Sequence, residues 1–132
     1  MIRSLAVSVA AVALALAPVS AVASAQPDAS ACDYTLSPPH VVSVSGTDMV
    51  AVTMSPAACD SAIPFMSVAC VQLQGAQGPG KCIQNNGTLS ARAYLSPYRP
   101  GGTYVATGTG CASTGNPPQP VCQSAGPLSA TL

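Results

Sequence analysis

Glutamate and tryptophan are absent from this chain of 132 residues, and it has one histidine and one lysine. Charged residues make up only 6% of the sequence, and the formal net charge at pH 7 is zero. So few cations exclude a basic surface for the phosphates of nucleic acid or for anionic lipid headgroups. We therefore expect neither nucleic acid nor a charged membrane surface as a partner.

The residues that usually build exposed helices are scarce as well. Glutamate is missing and lysine nearly so, which removes two strong helix formers. Thirteen prolines and eleven glycines interrupt helices along the whole chain. Valine, threonine and tyrosine are well represented and favour strands. The composition therefore predicts an all-β protein.

Large side chains for a core are also few, since Phe65 is the only phenylalanine. A small domain with such a core buries too little apolar area to be stable by a wide margin. Six cysteines offer additional stabilisation: Cys32, Cys59, Cys70, Cys82, Cys111 and Cys122. An even number of cysteines in an exported domain predicts a framework of disulfides. The sequence alone leaves their pairing open.

The first residues have the features of a cleavable export signal. Arg3 supplies the positive end, an apolar run covers residues 5–17, and Ala23-Ser24-Ala25 is a small-x-small cleavage site. We expect a signal peptide over residues 1–25 and a single mature domain over residues 26–132. The mature protein would then be extracellular or associated with the cell wall.

Two alternatives to cleavage compete with this interpretation. An uncleaved membrane anchor is disfavoured, because the apolar run is short and rich in alanine. A lipoprotein site is the other alternative, since Ala29-Ser30-Ala31-Cys32 loosely fits such a motif. Acylation of Cys32 would leave an odd number of cysteines, which disfavours it. We expect no membrane span once the signal is removed.

Alternating apolar and polar residues predict about seven short strands separated by turns. The clearest strands are residues 65–74 and residues 88–95. In the second of these, the inward side is expected to be Leu89, Ala91, Ala93 and Leu95. Residues 103–107 alternate too, while residues 116–120 form a proline-rich loop. Strands and turns at this spacing are typical of an immunoglobulin-like antiparallel β-sandwich.

Several segments, in their order and spacing, are similar to a known family. They are Thr35-Leu36-Ser37-Pro38, Gly46-Thr47-Asp48-Met49-Val50, Ser67-Val68-Ala69-Cys70 and Asn86-Gly87-Thr88-Leu89-Ser90-Ala91. Together they resemble the neocarzinostatin-like apoproteins, which are secreted actinobacterial immunoglobulin-like sandwiches. The alanine- and proline-rich composition also resembles that of small secreted mycobacterial proteins.

The resemblance implies both disulfides and a ligand cleft. The family has two local disulfides, which would fall on Cys70–Cys82 and Cys111–Cys122, and Cys32–Cys59 would be an added pair. The family's cleft lies near the first of these and is lined by bulky aromatic residues. A small apolar ligand near Cys70–Cys82 is therefore one possible partner, although the chain has no tryptophan to line such a cleft.

The loop of residues 95–102 has the composition of a binding surface. Its prolines lower the entropic cost of ordering it on binding, and Tyr98 and Arg99 are residue types enriched at binding hot spots. The alternative is a rigid connection between two strands. The candidate binding residues are Tyr98 and Arg99, with Phe65 and Gln72 on the strand that carries Cys70.

Catalytic chemistry has few candidates. His40 is the only imidazole, and the Gly-x-Ser-x-Gly motif of many serine hydrolases is absent, so a hydrolase is disfavoured. The cysteines are at least eleven positions apart, unlike the close pairs of zinc sites. We expect a monomer with no catalytic residue, metal or cofactor. Its expected role is that of a protein-interaction or cell-envelope module, with a carrier of a small apolar ligand as the alternative.

Overall fold

The structure is a computed structural model that describes residues 32–132, so the expected signal peptide lies outside the described residues. Within this range the chain forms eight strands and no helix. They are β1 (Cys32–Leu36), β2 (His40–Val44), β3 (Thr47–Cys59), β4 (Ile63–Leu73), β5 (Lys81–Asn86), β6 (Ala91–Leu95), β7 (Thr103–Thr114) and β8 (Gln119–Thr131). Residues 32–132 accordingly contain no helix with the length and apolar character to cross a membrane.

The strands form two antiparallel sheets of four strands each. In the first, which we call sheet A, β6 pairs with one edge of β3, and β1 and β2 lie end to end along its other edge. In the second, sheet B, the order is β5-β4-β7-β8. The expected all-β sandwich is therefore confirmed.

Prolines explain why the edge of sheet A that faces away from β6 is divided into two strands, β1 and β2. Pro38 and Pro39 lie between β1 and β2, where they cannot donate backbone hydrogen bonds to β3. Ser37 partly replaces the backbone hydrogen bonds to β3 that are lost at these prolines. Its N–H donates to the carbonyl oxygen of Thr53, and its hydroxyl accepts from the N–H of Thr53, both at 2.8 Å.

The core lies between the inner faces of the two sheets and consists mostly of small side chains. In sheet A, β3 contributes the fully buried Val50, Val52 and Met54, and β6 contributes Ala91 and Ala93. Sheet B contributes Ala69, Val71, Tyr104, Ala106 and Ala112 to the same apolar cluster. Because alanine and valine bury little area, each larger side chain contributes a large share of the apolar burial.

Tyr34 connects the two sheets at one end of the sandwich. Its ring lies against the backbone of Gly110 in β7, so closely that a side chain at Gly110 would overlap it. Its hydroxyl donates a hydrogen bond of 2.8 Å to the carbonyl oxygen of Cys111. Burial raises the pKa of the Tyr34 phenol above its ordinary value. Tyr34 therefore supplies both a packing contact and a hydrogen bond across the core.

Each disulfide joins two cysteines that lie directly opposite each other on neighbouring strands, with a Cα–Cα distance of 4.1 Å. The bonds are Cys32–Cys59 between β1 and β3, Cys70–Cys82 between β4 and β5, and Cys111–Cys122 between β7 and β8. These are the expected pairs, and they indicate an oxidising environment. All three lie within a sheet, so side-chain packing and the Tyr34 hydrogen bond hold the sheets together.

Two expectations about the strands are corrected. Leu89, expected to face inward, is 64% exposed and lies in the turn between β5 and β6. The last hairpin is also longer than the sequence pattern indicates, since β7 extends to Thr114 and β8 begins at Gln119. Pairing along β7 and the Cys111–Cys122 bond hold these glycine- and proline-containing segments extended, against their own weak strand propensity.

We predict that reduction of the three disulfides unfolds the domain near room temperature. Each bond constrains the unfolded chain by about 3 kcal/mol, and the three together match the roughly 5–10 kcal/mol of stability typical of a small domain. Circular dichroism during heating should show a β-sheet signal that survives well above room temperature only in the oxidised protein. A cooperative thermal transition in reduced and alkylated protein would show that packing alone is sufficient.

We also predict that the free energy of unfolding falls as the pH rises above about 10, which is the ordinary pKa of tyrosine. The unfolded chain then loses the Tyr34 proton while the folded protein keeps it, because burial raises the folded pKa. This contribution is fully present below pH 10. Tyr34→Phe should flatten the alkaline loss and lower stability at pH 7 by about 1 kcal/mol, through the lost hydrogen bond.

Urea unfolding between pH 7 and about 11 measures this effect. Tyr94→Phe is the matched control, because Tyr94 lies on the outer face of sheet A and is 37% exposed. It should leave the alkaline loss as large as in the unmodified protein. The same slope in Tyr34→Phe would assign the loss to other groups.

Candidate functional site

Two loops meet at the end of the sandwich where β4 and β6 finish. The loop of residues 74–80 connects β4 to β5, and the loop of residues 96–102 connects β6 to β7. The N–H of Gln74 donates to the carbonyl oxygen of Thr103 at 2.8 Å, which ties the first loop to the start of β7. Their positions are therefore set by the ends of strands from both sheets.

Glycine is required where the first loop returns to β5. Gly80 has a φ of +77°, and a side chain there would collide with the carbonyl oxygen of Val71 and with Gln72. The loop thus passes close to the last residues of β4. The Cys70–Cys82 bond closes the base of the same hairpin, two residues from Gln72.

The second loop is held by hydrogen bonds from its backbone N–H groups to residues outside the loop. The N–H of Arg99 donates to the hydroxyl oxygen of Tyr104 at 2.9 Å, and the N–H of Tyr98 donates to the carbonyl oxygen of Asp48 at 3.3 Å. Because Tyr104 is fully buried in the core, it gives the backbone of Arg99 a rigid hydrogen-bond partner. These bonds fix the backbone of Arg99 while its side chain remains exposed.

A cleft of about 570 Å³ lies between the two loops. Its volume falls within the range of about 300–1,000 Å³ that is usual for sites of small ligands. Its lining includes the apolar residues Leu73, Leu95 and Pro97 and the polar residues Gln72, Gln74 and Gln77. Arg99 is the one basic residue among the described residues that line the cleft, and none of these residues is acidic. The cleft therefore suits a ligand with both polar groups and negative charge.

The structure places the four candidate binding residues in three locations. Arg99 and Gln72 meet at the cleft. Tyr98 is half-buried and packs against the core instead of projecting from its loop. Phe65 lies near the opposite end of β4, at an irregularity in the pairing with β7, and is 37% exposed.

Sequence reasoning missed three contributors to the cleft, namely Gln74, Gln77 and Tyr104. The two glutamines lie in a glycine-rich loop, and their closeness to Gln72 was a usable signal of an amide-lined surface. Tyr104 lies on the same face of β7 as Ala106, and both are fully buried. Its hydrogen bond with Arg99 depends on how the loop folds back and leaves no trace in the sequence pattern.

A second, smaller pocket of about 250 Å³ lies on the outer face of sheet B. The strand registers place Val68, Thr109 and Ser124 in one row across β4, β7 and β8, and place Cys70 beside Thr107 in the next row. Its described lining residues are all uncharged. This pocket is next to the Cys70–Cys82 bond, where the family resemblance implies a ligand cleft.

His40 lies on the outer face of sheet A. It is opposite Ala51, whose neighbour on the far side is Tyr94. The imidazole Nδ1 is 3.0 Å from the carbonyl oxygen of Pro38, and the described residues give it no other hydrogen-bond partner. Residues 32–132 also bring together no group of three or more His, Cys, Asp or Glu side chains in an arrangement suited to a metal ion.

Comparison of the chain with models of protein families, with characterised proteins and with solved structures finds no match. The resemblance to the neocarzinostatin-like apoproteins therefore stays a prediction that depends on the segments quoted above.

We predict that His40→Ala leaves the fold intact and changes unfolding free energy by no more than about 0.5 kcal/mol, as is usual for exposed positions. Its one hydrogen bond joins residues two positions apart and contributes little to the packing of the sheets. Thermal unfolding of the two proteins provides the measurement. A hydrolytic activity that is present in the unmodified protein and lost in His40→Ala would contradict a non-enzymatic role.

Proposed function

We propose that the protein is a secreted, non-enzymatic binding module of the extracellular space or cell envelope, and that it binds its partner in the cleft between residues 74–80 and 96–102. The observation that carries this proposal is the convergence of Arg99 and three glutamines on the lining of one cleft of about 570 Å³. The apolar walls around these polar groups give the composition usual for binding sites.

The anchoring of both loops supports the proposal. Binding is weakened by the entropy lost when loops become ordered, so loops that are already fixed bind more tightly. Here the Cys70–Cys82 disulfide closes the base of one loop. The hydrogen bond from the N–H of Arg99 to the hydroxyl of Tyr104 fixes the backbone of the other. Pro97 and Pro100 further restrict the second loop.

A variant that fills the cleft tests this function. Ala76 is exposed and lines the cleft, so Ala76→Tyr should narrow it without disturbing the core. The matched control is Ala58→Tyr, which places the same side chain on an exposed position of β3, near the opposite end of the sandwich. Both variants should keep the thermal unfolding of the unmodified protein.

The assay presents each immobilised protein to culture fluid and to solubilised cell-envelope material, and quantifies every retained component by mass spectrometry. We expect at least one component that Ala76→Tyr reduces by about tenfold, equivalent to 1.4 kcal/mol, and that Ala58→Tyr leaves unchanged. Equal retention by both variants for every component would refute binding in this cleft.

A carrier of a small apolar ligand is the second candidate, favoured by the uncharged pocket beside Cys70–Cys82. Native mass spectrometry of protein purified from its own culture fluid would detect a retained small molecule. Thr109→Phe should fill this pocket and release the molecule, while Ala76→Tyr should not. Loss of the molecule from Ala76→Tyr alone would assign it to the larger cleft instead.

A further inference from the structure

We infer that the cleft between residues 74–80 and 96–102 recognises the free carboxyl terminus of an extended peptide, with Arg99 pairing to its carboxylate. The inference rests on the binding function proposed above and names its ligand class. It follows from the charge of the cleft, from the amides that line it, and from the lack of an accessible aromatic ring.

The charge argument depends on Arg99. Its backbone is fixed by Tyr104, but its guanidinium has no ion pair with any described residue, and no acidic residue lines the cleft. Arg92, in contrast, donates from Nε to the hydroxyl of Thr53 at 3.0 Å on the outer face of sheet A. A guanidinium that is open to solvent on an anchored backbone is suited to a carboxylate, which it binds through two parallel hydrogen bonds.

The amide argument depends on Gln72, Gln74 and Gln77, all of which line the cleft. A glutamine side chain both donates and accepts hydrogen bonds, as does each peptide group of an extended chain. No described residue forms a hydrogen bond with these three side-chain amides, so they are available to a ligand. Three such residues in a cleft that Arg99 also lines match a peptide backbone that ends in a carboxylate.

Other anionic ligands fit less well. Phosphate groups are usually held by several cations or by clustered backbone N–H groups, and this cleft has a single cation. A carbohydrate would be expected to stack on an exposed aromatic ring. The aromatic residue in this lining is Tyr104, whose ring is fully buried and therefore closed to stacking. Leu73, Leu95 and Pro97 remain as apolar walls for the terminal side chain of a peptide.

The experiment uses two libraries of acetylated tetrapeptides in which the last two residues are randomised. One library ends in free carboxylates and the other in carboxamides. Binding to the oxidised mature protein is measured by affinity selection with mass spectrometry, and the site is located by chemical-shift changes in the amides of residues 72–80 and 96–102. Oligogalacturonate is the third probe, because it carries carboxylates on a carbohydrate.

We expect the carboxylate library to bind at least about tenfold more tightly than the carboxamide library. Arg99→Gln should remove this preference without altering thermal unfolding, because the side chain is exposed. Arg92→Gln is the matched control, and it should retain the preference, since Arg92 lies on the outer face of sheet A.

Four results would overturn the inference. Equal binding of both libraries would remove the carboxylate from recognition. An unchanged preference in Arg99→Gln would instead remove Arg99 from recognition of the carboxylate. Either result would leave a binding cleft. Binding of oligogalacturonate without binding of peptides would assign the cleft to a carbohydrate. Absence of binding by all probes would refute the ligand class alone if Ala76→Tyr still reduces a captured component. If Ala76→Tyr reduces none, the proposed function fails as well.

Discussion

The contact between Tyr34 and the backbone of Gly110 is the constraint on which the sandwich depends. All three disulfides connect strands of the same sheet, so they do not set the distance between the sheets. That distance is set where the Tyr34 ring meets a residue without a side chain and its hydroxyl reaches the carbonyl oxygen of Cys111. With so many alanines in the core, this close approach lets small residues reach one another across the interface.

Disulfides within a sheet and buried side chains between the sheets also act separately in positioning the cleft. The Cys70–Cys82 disulfide holds β4 and β5 together at the base of one loop. In the other loop, the backbone of Arg99 is hydrogen-bonded to Tyr104, which is buried in the core. The loops are therefore held in different ways, one by a covalent bond within sheet B and the other by a buried side chain. A change in how the sheets pack would alter the separation of the loops, so the width of the cleft depends on the core.

The sequence was sufficient for the fold class because strand formation here follows local patterns. The alternation of Ala91, Ala93 and Leu95 and the scarcity of helix formers both indicate β structure. The cysteines also form the expected pairs. The cleft was only half predictable. Arg99 and Gln72 were recognisable by residue type, but the inward packing of Tyr98 and the distance of Phe65 from the cleft depend on contacts between distant segments.

The placement of every disulfide between neighbouring strands has a consequence for the chain under tension. The bonds enclose segments of 27, 12 and 11 residues, about half of the described chain. These segments cannot lengthen even when the domain is pulled open, so the oxidised chain stretches roughly 150 Å less than the reduced chain at about 3.4 Å per residue. The two sheets can separate while the disulfides still connect strands within each sheet. Oxidation therefore limits how far the protein extends, in addition to making the fold more stable.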